Sequence, residues 1–347
     1  MRAVQAARAV AAAALMSGVT VSHLGAQTGA VRGVHDPAVI KQDGVYWLFA
    51  TGRGIPVRRS RDLVHWDTAG RVFPDTVPAW ARAAVPGVEF PWAPDVAFFN
   101  GRYHLYYSLS TFASNRSVIG VATNVTLDPA DPRHRWEDRG AVVESATGRT
   151  PFNAIDPNVA FDDAGQPWLA WGSFWGGIKL RRLDAATGKL STVDTVTHSL
   201  AARAGVDARR GPLDAQSVEA PFIVRRGGYY YLFASYDLCC RGARSTYNVR
   251  VGRARTITGP YVDANGVALT ANGGTVVLAG SGRVLGPGHN AVLADGDRHY
   301  LVHHFYDAEA RATPTLQIRP LLWGEDGWPR AGEPLTPPPA PPAGAPR

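Results

Sequence analysis

Asp36, Asp156 and Glu219 are residues whose type and spacing could do chemistry together. Each opens a segment with the same grammar: a short apolar run, a turn carrying Gly or Asp, then a second run dense in aromatics. A single Asp-Pro is a common turn signal. Acids that recur at corresponding places in a repeat ask for another explanation, because unpaired carboxylates near a buried axis are costly to hold. Three such acids converging on one pocket supply acid–base chemistry. A protonated carboxyl can give its proton to a leaving oxygen. An ionised carboxylate can act on water or on carbon. A third can raise the acid's pKa through like charge. Cleavage of a glycosidic bond needs the first two, which leaves the third as a spare.

The elements that must position these acids are legible as a weak internal repeat. Five segments share the grammar: DPAVIKQDGVYWLFATG from Asp36, APDVAFFNGRYHLYYSLS from Ala93, DPNVAFDDAGQPWLAWGSF from Asp156, EAPFIVRRGGYYYLFASYD from Glu219 and HNAVLADGDRHYLVHHFYD from His289. The turns DG, NG, DDAG, RGG and DGD are hairpin signals between β-rich runs. Five antiparallel units spaced about 60 residues apart predict an all-β fold, a five-bladed β-propeller over residues 30–333. The conspicuous pairs would be the inner strands of each blade. Outer strands would come from stretches such as VRRSRDLVHWDTAG, SVIGVATN and YNVRVGRARTITGPYVD. The heads of the innermost strands would then converge at one end of the channel, bringing Asp36, Asp95, Asp156, Glu219, His289 and Asn290 together.

Composition agrees. The 347 residues include 37 Gly, 26 Pro, 12 Phe, 12 Tyr and 10 Trp. Residues 1–26 read as an export signal, with Arg2 and Arg8 ahead of an apolar run from Ala9 to Val21 and Ala26 at the cleavage point. Secretion or periplasmic export follows as an expectation. No later run approaches the roughly 20 apolar residues of a membrane helix, so no membrane partner is expected. The formal charge of +7 includes the two leader arginines, and the basic residues are scattered rather than interleaved with stacking aromatics. Nucleic acid is therefore not an expected partner. The only two cysteines, Cys239 and Cys240, are adjacent, which leaves a vicinal disulfide or two thiols open. Residues 334–347 are dominated by Pro and Ala and read as a flexible tail.

At this point the motifs resemble a known family. HDPAVI, WAPDV, AIDPNV, EAPFI and GPGHNAV look like glycoside hydrolase family 43. YSLSTF, WGSFWGGI and the CC followed by STYNVRVGRARTITGPYVD resemble its endo-1,5-α-L-arabinanases. The resemblance implies Asp36 as general base, Glu219 as general acid and Asp156 as the residue that tunes the acid and orients substrate. It also implies inversion at the anomeric carbon, with the acid and base roughly 6.5–9.5 Å apart to admit a water. Similar arabinanases place a calcium ion near the counterpart of His289, largely through waters. Read from the residues alone, an imidazole poor in acidic neighbours is not a usual calcium site, and a hydrogen-bonded histidine stays open.

Sugar rings stack their C–H faces on aromatics, so Trp92, Phe112 and Trp175 are candidate platforms, with blade core as the alternative for each. Asn153, Ala154, Ile155 and Asp156, with Ser173, Phe174 and Trp175, resemble the family's substrate-contacting loops. Gly120 could admit a sugar against the backbone or mark a bulge. The expected function is an extracellular, monomeric hydrolase cutting internal α-1,5-arabinofuranosidic bonds of arabinan or arabino-oligosaccharides. Exo-acting arabinanase, α-L-arabinofuranosidase or β-xylosidase activity is the alternative within the family, and a non-catalytic carbohydrate-binding propeller the alternative outside it.

Overall fold

The computed structural model describes residues 27–337, so the leader expected over 1–26 and residues 338–347 of the tail lie outside the described residues. The described chain forms five sheets in sequence. Blade one holds β1 (Thr28–Gly29), β2 (Ala38–Gln42), β3 (Val45–Phe49), β4 (Pro56–Ser60) and β5 (His65–Arg71). Blade two holds β6 (Trp92–Phe99), β7 (Arg102–Leu109), β8 (Ser117–Asn124) and β9 (Glu137–Ser145). Blade three holds β10 (Asn158–Phe161), β11 (Pro167–Trp171), β12 (Ile178–Arg182) and β13 (His198–Ala201). Blade four holds β14 (Val218–Arg226), β15 (Tyr229–Tyr236), β16 (Asn248–Ala254) and β17 (Thr275–Leu278). Blade five holds β18 (Val284–Asp295), β19 (Arg298–Asp307), β20 (Thr313–Trp323) and β21 (Pro329–Ala331). Neighbouring strands pair antiparallel throughout, apart from the short parallel β1–β5 ladder. This is the five-bladed propeller that the repeat predicts.

The inner hairpins turn where the sequence has residues that accept positive φ. Asp43–Gly44, Asn100–Gly101 and Gly227–Gly228 each have φ > 0 at both central positions, the geometry that matches strand twist in a two-residue turn. Between the blades lie five apolar clusters, one at each blade–blade interface. Trp47, Phe49, Leu105 and Tyr107 fill the first; Tyr106, Ile119, Leu169 and Trp171 fill the second. Ala170, Leu180, Leu232 and Tyr236 join blades three and four, and Phe233, Val251, Leu301 and Trp328 join four and five. Burying each large side chain contributes about 1.5–3 kcal/mol, so every blade depends on both neighbours.

The ring is closed by the N-terminal segment. Gly33 donates its N–H to Pro314 O and Leu316 donates to Val31 O, while Trp66, Leu48, Val302 and Ile318 bury together beneath. Gln27 Nε2 donates to Leu335 O at 2.8 Å, and Leu335 donates its own N–H to Ile318 O. The fold's contacts thus run past 333, and the first residues of the expected tail are tied to blade five.

A second device joins the blades at the channel mouth. One residue at the head of each innermost strand has left-handed backbone: Asp36 (φ 52°), Ala93 (42°), Asp156 (57°), Ala220 (52°) and His289 (49°). Each gives its N–H to a side chain of the preceding blade. Asp36 donates to His304 Nδ1 at 3.2 Å, Ala93 to Thr51 Oγ1 at 2.8 Å, Asp156 to Ser108 Oγ at 3.0 Å, Ala220 to Asp156 Oδ2 at 3.2 Å and His289 to Ser235 Oγ at 2.8 Å. Non-glycine residues in this conformation cost on the order of 1–3 kcal/mol each, and such strain collects at functional sites. Pro37, Pro94, Pro157 and Pro221 follow four of the five and bar the right-handed helical alternative.

This register corrects the alignment read from the sequence. Asp36, Asp156 and His289 occupy equivalent places, but Glu219 stands one residue ahead of its counterpart, Ala220. Glu219 pairs with Ser235 before a bulge shifts the ladder to Phe222–Phe233.

Candidate active site

The heads of the innermost strands open into a cavity of about 400 Å³. Asp36, Trp92, Phe112, Asn153, Ile155, Asp156, Ser173, Phe174, Trp175, Glu219 and His289 all line it. The three acids are each more than nine-tenths buried, so their charge states are set by their protein neighbours.

Asp36 is ringed by imidazoles. His35 Nδ1 lies 2.7 Å and His289 Nδ1 3.1 Å from Oδ1, and Thr51 donates its hydroxyl to Oδ2 at 2.5 Å. Burial opposes ionisation, but His289, His35 and the His35 hydrogen bond outweigh it and hold the Asp36 pKa far below the usual carboxylate range. Burial pushes His35 down too, yet the Asp36 charge and hydrogen bond raise its pKa overall. Burial holds His304 well below the ordinary histidine value, so it is a neutral ring accepting the Asp36 N–H. Asp36 is therefore an ionised carboxylate throughout the ordinary pH range.

Glu219 has opposite company. Its two oxygens accept only hydroxyls, Ser173 Oγ at 2.5 Å and Tyr247 OH. Burial raises its pKa; the two hydroxyl bonds pull it down, and the Asp36 charge pushes it up again, leaving it above the ordinary glutamate value. Asp156 is raised well above its ordinary value by burial, then by the charges of Glu219 and Asp36, against the pull of the Ala220 N–H. Glu219 and Asp156 thus share a tendency to hold a proton, while Asp36 refuses one. Two carboxylates pushed apart in this way can serve as an acid and a base.

The loops that hold Glu219 are locally constrained. Ser173 bridges to Glu219 across the blade three–four junction, and Phe174 donates its N–H to Val218 O. Phe174 and Trp175 follow with φ of 53° and 29°. Tyr247 reaches Glu219 because β18 has glycine at 288. A Cβ there would stand 2.1 Å from the tyrosine ring.

Two residues expected to contact substrate do not line the cavity. Gly120 sits where the β8–β9 register shifts, and its missing side chain makes room for Tyr107, whose Cζ would lie 2.5 Å from a Cβ. Ala154 is fully buried in the core between blades two and three, its N–H given to Ser145 Oγ. Asn153 lines the cavity with its amide engaged, accepting from Ser117 Oγ at 2.6 Å and donating to Ser114 O. Phe112, 77% exposed, stands at the rim. Sequence reasoning passed over His35, Thr51, Tyr247 and the Leu238–Arg241 wall, which also line the cavity. Cys239 and Cys240 are joined as a vicinal disulfide in that wall.

His289 gives Nδ1 to Asp36, and the groups converging beside it, His35, Asp36 and His304, lie within 4.8 Å of one another. Two nitrogens and one shared carboxylate do not fit direct ligation of calcium, which takes six to eight oxygens.

Comparison with known proteins places this geometry. The model of "Glycosyl hydrolases family 43" matches residues 31–329. The extracellular exo-α-(1→5)-L-arabinofuranosidase ArbA of Cellvibrio japonicus is 43% identical over 86% of each chain. The extracellular endo-α-(1→5)-L-arabinanase 1 of Bacillus subtilis is 38% identical over 85% of this chain and 87% of its own. The structure of Cellvibrio cellulosa α-L-arabinanase complexed with arabinohexaose superposes with a TM-score of 0.82 at 41% identity, covering 86% of this chain and 95% of that one.

Proposed function

The chain belongs to glycosyl hydrolase family 43 and is a glycoside hydrolase, and from that premise we propose that it is an extracellular enzyme cleaving internal α-1,5-L-arabinofuranosidic bonds of arabinan by single displacement with inversion. The observation that carries the mechanism is the opposite displacement of two buried carboxylates facing one cavity. Asp36 is held ionised and Glu219 is held towards its protonated form. In the proposed step Asp36 takes a proton from a water whose oxygen bonds to the anomeric carbon. The bond from that carbon to the leaving oxygen breaks, and Glu219 delivers its proton there. Asp156 accepts the Ala220 N–H and so fixes the strand on which Glu219 stands, and its own carboxyl, raised by burial and then by the Glu219 charge, couples it to the acid. The carbohydrate-binding alternative gives no account of this division of charge.

Arabinan as substrate is supported by the names of the relatives, and export by their description as extracellular. Exo action is the second reading, because the 43% identical relative is named an exo-enzyme. Product length over time on linear arabinan separates the two: mixed oligomers in the first minutes support endo cleavage, and a single product from the outset overturns it. Proton NMR of the freshly released reducing end tests inversion: the β-anomer appearing first, before mutarotation, supports it, and the α-anomer appearing first overturns it. Calcium near His289 would have to be held through water, and retention of full activity after chelation would remove that proposal.

A further inference from the structure

A polar chain ending on the proposed base begins at the cavity wall, at Cys240. His35 gives Nδ1 to Asp36 Oδ1 at 2.7 Å. Its other nitrogen, Nε2, lies 3.0 Å from the phenol oxygen of Tyr306 on β19. Tyr306 in turn accepts the backbone N–H of Cys240 at 2.7 Å. Cys240 Sγ is 4.0 Å from the same His35 nitrogen. Cys240 is bonded to Cys239, its backbone is left-handed at φ 63°, and the pair forms part of the cavity wall. Tyr306 is buried, so its hydroxyl is committed to protein partners, and burial keeps the phenol protonated. Whichever protonation state His35 holds, one hydrogen of this chain lies between Nε2 and the phenol. The partner of one ring nitrogen fixes which face the other presents.

We propose that Tyr306 is a positioning residue for the base, and that the Cys239–Cys240 disulfide anchors the N–H on which Tyr306 rests. This inference rests on the arabinan-cleaving reading above. It makes the vicinal pair a redox-sensitive support of catalysis rather than a substrate contact. Opening it takes two electrons and two protons from a dithiol, which closes to its own cyclic disulfide and leaves two thiols. The turn that carries the Cys240 N–H is then no longer pinned, and His35 loses the anchored partner of its second nitrogen. Full activity would be confined to surroundings where disulfides persist.

The test uses the whole chain, whose only cysteines are this pair, so a dithiol acts there and at no other disulfide. Hydrolysis of linear α-1,5-arabino-oligosaccharides is followed for wild type and Tyr306→Phe, each before and after dithiothreitol, with two released thiols counted by a chromogenic disulfide reagent. Tyr306→Phe is expected to lower kcat about tenfold with KM nearly unchanged, the loss that follows when a hydrogen bond supporting a charged group goes. Reduction is expected to lower wild-type kcat by a similar factor, reversibly, and to leave Tyr306→Phe unaffected. The inference is overturned if two thiols appear while wild-type kcat holds, or if Tyr306→Phe loses as much on reduction as wild type does. Should that variant not fold, Cys239→Ser/Cys240→Ser with Tyr306 intact is expected to reproduce the reduced kcat, and wild-type kcat in its place would overturn the inference. Failure of oxidised wild type to hydrolyse these substrates would sink the functional reading itself, a separate result.

Discussion

Asp36 and Glu219 are buried to the same extent, 7% exposed each, yet one is surrounded by imidazoles and the other by hydroxyls. Rings on three sides and a threonine hydroxyl leave Asp36 with partners that favour its charge. Glu219 has Ser173 and Tyr247, neutral donors too weak to offset burial and the Asp36 charge. The difference lies in the partners rather than in depth. Desolvation alone would raise both carboxyls; at Asp36 the imidazoles and the His35 hydrogen bond reverse its sign. A single cavity can in this way hold an acid and a base made from nearly the same functional group.

The largest effect should come from removing each member of the contrast. Glu219→Gln and Asp36→Asn are each expected to lower kcat/KM on arabino-oligosaccharides by about a thousandfold. They should part company on a 4-nitrophenyl arabino-oligosaccharide, whose leaving group needs no proton: Glu219→Gln recovers most of its loss and Asp36→Asn does not. Equal losses on both substrates would break the assignment of roles.

The pH profile sharpens the same contrast. With the proposed roles, activity requires Asp36 charged and Glu219 neutral. It is therefore lost on the acid side as pH falls through an Asp36 pKa held below the ordinary range, and on the alkaline side as pH rises through a Glu219 pKa held above it. Tyr247→Phe removes a donor that favours ionised Glu219. Its alkaline limb should move upward while the acid limb stays, with kcat lowered by only about threefold. A shift of the acid limb instead would mean that Tyr247 serves the base.

The smallest effect concerns stability. Asp156 has its folded pKa raised, so its contribution is fully present below its unfolded pKa and is lost as pH rises through the folded value. At neutral pH it is a burden that Asn would relieve while still accepting the Ala220 N–H. Asp156→Asn should raise Tm by about 2 °C at pH 7 and give no gain near pH ~3. Asp36, with its pKa depressed, contributes stability above its unfolded value and loses it as pH falls through the folded one, so Asp36→Asn should lower Tm at pH 7. Thermal scans at both pH values check the two signs.

The blades were legible because their grammar is local: positive-φ turn residues at Asp43–Gly44, Asn100–Gly101 and Gly227–Gly228 flanked by aromatic runs. The acids were legible because the repeat brought them to one end of the ring. The exact register of Glu219 was not, since EAP and DPA look alike when aligned on their acids. Aligning on Pro37, Pro94, Pro157 and Pro221 would have found it, because each follows the left-handed residue. Tyr247, Tyr306 and His304 left no signal. Tyr247 stands just ahead of β16 and the other two on β19, off the innermost strands, and only the folded ring shows which rings face an acid. Gly120 and Ala154 show the converse: a small residue looks the same in sequence whether it admits a ligand or a neighbour's ring.

The ring of N–H bonds between blades has a consequence for the order of assembly. Four of its links join blades that follow one another along the chain, but the fifth, from Asp36 to His304, spans 268 residues. Contacts of such sequence separation are among the last a chain can form. A refolding molecule with four blades in place would already hold Glu219, Ser173 and Tyr247 together, yet its Asp36 would lack the last blade's His289 and His304. Recovered catalysis is thus a clock for closure of the circle, and tryptophan fluorescence, which answers to individual blades, should run ahead of it.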